Sequence, residues 1–416
     1  MTENKNKPKV MGMTDHSLKS GFGRQMHGIM NILGTKYDAY YLGWGFNYDD
    51  AIKRGNYTLL PTPGEYHGSQ IMPQVLQGLK PEVLITQADS RMIHWLPAML
   101  KQVQASPTWI YYPVIDGHVW SLDGQATMWP SNWTAIMKQA DVVVAYADFG
   151  KKILQENGIE DAKRIYHGVD TQMFRPLLPE DKENIKAGLN IKGKFVVGGV
   201  FKCMIRKNPE KYLQAFCAFR KGKEDKVVLV LHTTINQGES NLVQQATDLG
   251  LVVGKDVIFT DPNIPTPVMV QVYNCFDVFW ALGGMEGFNV PLIESMACGI
   301  PVVALDATTH SEILNGTGLL SEPILYKGGK GCKVTYGSFN GVEGIAVNPY
   351  DVASKTDKLY ADKKLRENIS FREIERTITT FDWSVINPQW LELVSKYVIT
   401  EEQVPDEWKG LFGETQ

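Results

Sequence analysis

A chain of 416 residues exceeds what one hydrophobic core usually fills, so two domains are expected. Hydrophobic and charged shares of 44% and 21% exclude a disordered chain and fit a globular one. The formal charge of −4 excludes a global field drawing the chain to nucleic acid or an acidic membrane. Cys203, Cys217, Cys275, Cys298 and Cys332 form no CxxC pair and no metal-like spacing, which points to a reduced, intracellular protein. No apolar run reaches the roughly 18–20 residues of a membrane span, and MTENKNKPK carries no signal-peptide core, so a cytoplasmic location is predicted.

In chain order, PKVMGM opens a first strand. Ser20, Gly21 and Gly23 then make a small-residue loop, and from Arg24 the apolar positions Met26, Ile29, Met30 and Leu33 fall near one helical face. Strand, glycine loop and helix form a turn suited to phosphate. Gly21, Gly23 and Arg24 are its candidates, set against a plain tight turn with a surface arginine. DAYYLGWGF reads as a second strand, and residues 47–70 as loop with a short strand. PEVLITQ and PTWIYYPVID are further strands, ending near Asp89 and near Asp116, Gly117 and His118. Ligands in open α/β sheets sit beyond the carboxyl ends of strands, which makes Asp89, Asp116 and His118 candidates. Trp109, Tyr111, Tyr112, Trp120, Trp129 and Trp133 surround them, and the commoner fate of such aromatics is the core. ADVVVAY is a strand and ADFGKKILQENGI an amphipathic helix.

Residues 173–193, with Pro176, Pro179, a charged run and Gly188, read as a linker with a short helix. KFVVGGVF begins a second doubly wound domain. The basic cluster of Lys202, Arg206 and Lys207 follows, where a first βα turn faces phosphate, and Pro209 starts the next helix. VVLVLHT, NLVQQATDLGL, KDVIFTDPNIP and PVMVQVYNCF continue as strand, helix, strand with loop, and helix.

The chain is organised around Gly283 to Ala304, GGMEGFNVPLIESMACGIPVVA. NCFDVFWAL before it is a buried parallel strand ended by Gly283 and Gly284. Pro291 suits the first turn of a helix whose inward residues are Leu292, Ile293, Met296 and Ala297. Gly299 is the expected C′ residue, Pro301 stops further helix, and PVVAL is the next strand. Such a loop presents free N–H groups and the positive end of a helix dipole to an anion. Glu286 lies in the loop and Glu294 eight residues on, and amphipathicity explains neither. Beside a diphosphate, carboxylates would repel it, so these two are expected to accept hydrogen bonds from sugar hydroxyls.

EGFNVPLIESMACGIPVVA resembles the motif of two glutamates with seven residues between them in retaining GT-B glycosyltransferases of family four, the glycosyl transferases group 1. The resemblance covers most of the chain and is strongest from about 195 to 312. It implies an α/β GT-B fold: two Rossmann-like doubly wound domains facing a cleft, with the C-terminal helix crossing back. The domains would be residues 1–172 on the acceptor side and 194–382 on the nucleotide-sugar side, with 383–416 as crossover helix and tail. Carried over, Glu286 holds the donor sugar, the amides of Gly287, Phe288 and Asn289 hold the diphosphate, and Glu294 holds the ribose. Asn289 stands where the family usually has glycine, and asparagine tolerates left-handed conformations better than most residues. Lys207 and Arg206, with Lys202 where an arginine is usual, would meet the diphosphate. SGFGR would contact donor phosphate or acceptor, His118 the donor sugar, and Asp116 an acceptor hydroxyl. RIYHGVDTQMFRP resembles the segment closing the first domain, which makes His167 structural. The glycine-rich stretch 316–345 resembles closing strands plus an insertion.

The implied reaction moves a sugar from a nucleoside-diphosphate sugar to a hydroxyl with retention. The acceptor, whether glycan, lipid, protein or modified nucleic acid, is left open. Asp49 and Asp50 lie in a loop rather than at a strand end, so no essential metal and no cofactor are predicted. A nucleotide-sugar epimerase of the same fold and a non-catalytic nucleotide-sugar binding protein are the alternatives. An epimerase acts on the donor alone, so whether UDP or GDP release needs an acceptor discriminates it, and a binding protein would tolerate loss of Glu286 or Lys207.

Overall fold

The computed structural model describes residues 7–103, 106–120, 126–127, 129, 131–237, 240–260, 263–324, 333–335 and 343–398. Two parallel sheets carry the architecture. In the first, the strands are β1 (Lys9–Asp15), β2 (Asp38–Trp44), β3 (Ile52–Arg54), β4 (Tyr57–Leu60), β5 (Val83–Ala88), β6 (Thr108–Pro113), β7 (Val142–Ala145) and β8 (Lys163–Arg164). Their order is β8-β7-β6-β5-β1-β2-β4-β3. Only the edge pair β3–β4 is antiparallel. In the second sheet, β9 (Phe195–Val200), β10 (Val227–His232), β11 (Val257–Thr260), β12 (Val278–Ala281), β13 (Val302–Leu305) and β14 (Leu319–Ser321) lie in the order β11-β10-β9-β12-β13-β14. Strands such as VLITQA and VVLVLH are buried along their whole length, as parallel strands covered on both faces must be.

Each sheet reverses its strand order beside its first strand, β1 in one and β9 in the other, and crevices open at such reversals. In the second sheet that puts the loop after β9 beside the loop after β12. Gly284 N–H donates to the Arg206 carbonyl (3.0 Å), and the Asn208 side-chain amide donates to the Leu282 carbonyl (2.8 Å).

Local detail differs from the sequence reading in two places. The glycine-loop helix starts at Gly21 rather than Arg24, because the Ser20 hydroxyl caps it by accepting from Gly23 N–H (2.9 Å). Only glycine fits at position 23, where a Cβ would lie 2.1 Å from the Ser17 carbonyl oxygen. Residues 47–70 hold two strands rather than one, because β3 folds back on β4. The stretch expected as a linker holds the helix Pro179–Gly188.

The helix Trp383–Ser395 crosses back to the first sheet. Asp382 caps it, accepting from Ser384 N–H (2.8 Å) and the Thr171 hydroxyl (2.6 Å). The Trp383 ring lies so close to Gly28 and Gly168 that a Cβ on either would sit within 2.4 Å of it. One apolar cluster runs from Val10, Met30 and Tyr112 through Phe288 and Val290 to Trp390 and Val394, joining both domains. Trp109, Tyr111, Tyr112, Trp129 and Trp133 are core residues. Trp120's side chain, Cys332 and the tail after Thr400 lie outside the described residues. So does much of the 316–345 stretch. No helix among the described residues is long and apolar enough to cross a membrane.

Candidate active site

The helix Val290–Ala297 fixes the site. Asn289 precedes it at φ 79°, ψ 72°, a left-handed conformation that asparagine tolerates. The Asn289 side-chain amide donates to His310 Nε2 (3.0 Å), while His310 Nδ1 donates to the Leu305 carbonyl (2.9 Å). A carbonyl can only accept, so His310 is the neutral Nδ1–H tautomer. Burial lowers its pKa against the opposing pull of Glu286. The Thr309 hydroxyl reaches the carbonyls of Glu286 and Phe288, both at 3.2 Å. The loop is thus clamped from the end of β13. The Phe288 ring sits among His167, Tyr166 and Phe381.

Two charge clusters form around this helix. In the first, Lys207 is ion-paired with Glu286. Arg206 lies 3.7 Å from the same Glu286 oxygen and donates to the Met285 carbonyl (2.7 Å). Burial pushes the Glu286 carboxyl up, but Lys207 and Arg206 outweigh it and hold it below the ordinary carboxylate value. Burial and the neighbouring Arg206 charge lower the Lys207 pKa. Asp116 reaches in from the first domain: its Oδ1 accepts from Gly287 N–H (2.9 Å) and its Oδ2 lies 3.9 Å from Arg206.

In the second cluster, Glu294 accepts from Arg24 and from the Tyr273 hydroxyl (2.7 Å). Burial raises the Glu294 pKa and outweighs both partners. Arg24 therefore meets a carboxylate of the other domain here. Gly21 lies beside Val290, which a Cβ at Gly21 would approach to 3.9 Å.

The remaining candidates have other surroundings. Asp89 is held by Arg91 through two contacts of 3.0 and 2.7 Å. His118 lies 3.7 Å from Glu156 and lines a cleft of about 290 Å³ with Gly117, Phe149, Asp306, Thr308 and Ser311. Lys202 is exposed. His167 is buried against the Tyr112 hydroxyl (2.9 Å), and burial pushes its pKa down to about 3, as a structural histidine would have it. Sequence reasoning missed His310, Thr309 and Tyr273. The first two follow the carboxyl end of β13, and that position alone could have flagged them.

Residues 194–324 match the family model described as glycosyl transferases group 1. The lipopolysaccharide core biosynthesis mannosyltransferase LpsB of Rhizobium meliloti is 30% identical over 164 residues, covering 38% of this chain and 45% of that protein. In such matches the chain spans less than half the length of its curated relatives. Among solved structures, sucrose-phosphate synthase from Thermosynechococcus elongatus superposes with a TM-score of 0.74 at 16% identity, over 94% of this chain and 99% of that one. Anabaena HepE, in complex with UDP and glucose, superposes at 0.71 and 16% identity, over 94% of this chain and 100% of its own. Residues 194–324 thus carry a likeness to the glycosyl transferases group 1, and the chain as a whole has the GT-B fold, two Rossmann-like domains facing a cleft.

Proposed function

We propose that this protein is a glycosyltransferase that moves a sugar from a nucleoside-diphosphate sugar to an acceptor hydroxyl, with retention of anomeric configuration. One observation carries the reading most: at the strand reversal of the second sheet, Lys207 and Arg206 converge on Glu286, next in sequence to Gly287, whose N–H meets Asp116. Negative charge builds on a leaving diphosphate as the glycosidic bond breaks. Two cations and loop amides meet that need, and removing one well-placed donor typically costs roughly 10²–10³ in rate. Glu286 would accept from a sugar hydroxyl, and Glu294 from the ribose in place of Arg24. His118 would approach the sugar from the first domain, while the exposed Lys202 adds positive charge at the entrance. The departing phosphate oxygen would take the acceptor proton as the new bond forms on the same face, so no protein base is required.

A donor panel tests the nucleotide site. UDP-, GDP-, ADP- and TDP-sugars, UDP-glucose and GDP-mannose among them, are screened by thermal shift on wild type and Lys207→Ala. A ligand binding only the folded state adds about 2.7 kcal/mol of stability at a hundredfold excess over Kd. One donor should stabilise the wild type and much less the variant. Equal shifts in both proteins, or none in either, would count against the site.

A further inference from the structure

Four charged side chains meet where the diphosphate is proposed to bind, and their formal charges cancel: Arg206 and Lys207 against Glu286 and Asp116. The two carboxylates are not equivalent. Glu286 belongs to the second domain, keeps only 5% of its side chain exposed and is ion-paired with Lys207 of the same domain. Asp116 comes from the first domain, on the loop after β6, and its side chain is 20% exposed. Its Oδ1 takes the Gly287 N–H and its Oδ2 faces Arg206. One loop amide and one guanidinium are the partners a phosphoryl oxygen would take there.

We propose that Asp116 is an internal anion that holds the diphosphate place in the empty cleft and is exchanged for the nucleoside diphosphate on binding. This rests on the nucleotide-sugar reading. A diphosphate added to an already balanced cluster leaves an excess of negative charge unless one carboxylate withdraws. Glu286 is walled in by its own domain, whereas Asp116 withdraws as the first domain moves. The same carboxylate competes with the nucleoside diphosphate left after transfer, which favours product release at the expense of affinity.

Calorimetric titration of UDP, GDP, ADP and TDP into wild type, Asp116→Asn and Asp116→Ala tests the exchange, with inorganic pyrophosphate as a probe lacking base and ribose. Melting of each unliganded variant checks that it is folded. The nucleotide that binds wild type, and pyrophosphate, should bind the variants about tenfold more tightly, while the matching nucleoside (uridine, guanosine, adenosine or thymidine), titrated as a probe without phosphate, binds all three alike. Binding that is detectable only in the variants supports the exchange as well. Unchanged or weaker binding by the folded variants, with wild type binding normally, overturns the exchange and leaves the nucleotide site standing. No nucleotide binding by any of the three proteins overturns both. A second measurement needs no variant: carbodiimide labelling of wild-type carboxylates read by mass spectrometry. Labelling of Asp116 should rise when nucleoside diphosphate is added, and a fall or no change contradicts the exchange.

Discussion

Two left-handed residues flank the loop clamp, and they differ in cost. Asn289 at φ 79° is the residue type that accepts this conformation. Thr308 at φ 50° is β-branched, which makes the same region an outlier for it. Its hydroxyl oxygen is buried with no hydrogen-bond partner among the described residues. The left-handed conformation costs a side chain about 1–2 kcal/mol, and glycine's extra freedom in the unfolded chain returns about 0.5–1 kcal/mol of that. Thr308→Gly should therefore raise the melting temperature by about 1–2 °C; a lower melting temperature would show that the Thr308 side chain contributes more than the backbone loses. The Asn289 conformation was legible in the sequence, because asparagine stands where glycine is usual. That of Thr308 was not, since threonine argues against it. Lys207, Arg206 and Glu286 were legible as well, each lying in a turn with a local signature. The contact of Asp116 with Gly287 was not, because it joins positions 171 residues apart.

At the scale of elements, the helix Val290–Ala297 explains why Glu294 escaped an amphipathic reading. Val290, Leu292, Ile293, Glu294, Ser295, Met296 and Ala297 are all buried, so the helix has no wet face to display a pattern. The helix Lys363–Thr380 packs against it and sends in Glu373, whose Oε1 accepts from Val302 N–H (3.1 Å) at the start of β13. Burial raises the Glu373 pKa well above the ordinary carboxylate value, ahead of the opposing Val302 hydrogen bond. A folded-state pKa above the unfolded one gives stability that is complete below the unfolded value of about 4.3 and is lost as pH rises through the folded value. Glu373→Gln carries no such charge. In urea unfolding it should gain stability over wild type at pH 8 and gain less at pH 5, with a difference of about 1–3 kcal/mol. An equal or larger gain at pH 5 would refute a buried neutral carboxyl.

Across the whole molecule, the domains are tied at points the active site uses. Glu312 of the second domain accepts from the N–H groups of Asp148 (2.7 Å) and Phe149 (2.9 Å) at the start of a first-domain helix, and from the Tyr166 hydroxyl (2.9 Å). A carboxylate at a helix N-terminus meets unpaired amides and the positive end of the dipole. Glu312 lies on the same short helix as His310, which holds Asn289. One short helix thus touches both the first domain, through Glu312, and the loop that frames Glu286, through His310. The two-sheet plan and the returning C-terminal helix were readable from alternating strand and helix signals. The pairing of Arg24 with Glu294 and the Glu312 cap were not, since each depends on how two domains meet.

Sugar transfer is tested most directly by release of nucleoside diphosphate from the donor chosen by thermal shift, followed with and without a mixture of hydroxyl acceptors. Wild type, Glu286→Gln and Lys207→Ala are compared. Wild type should release nucleotide only with acceptor, Lys207→Ala should fall by roughly 10²–10³ in rate, and Glu286→Gln should also be impaired. Release by wild type that both variants match, or conversion of the donor sugar with no nucleotide released, would contradict sugar transfer at this site.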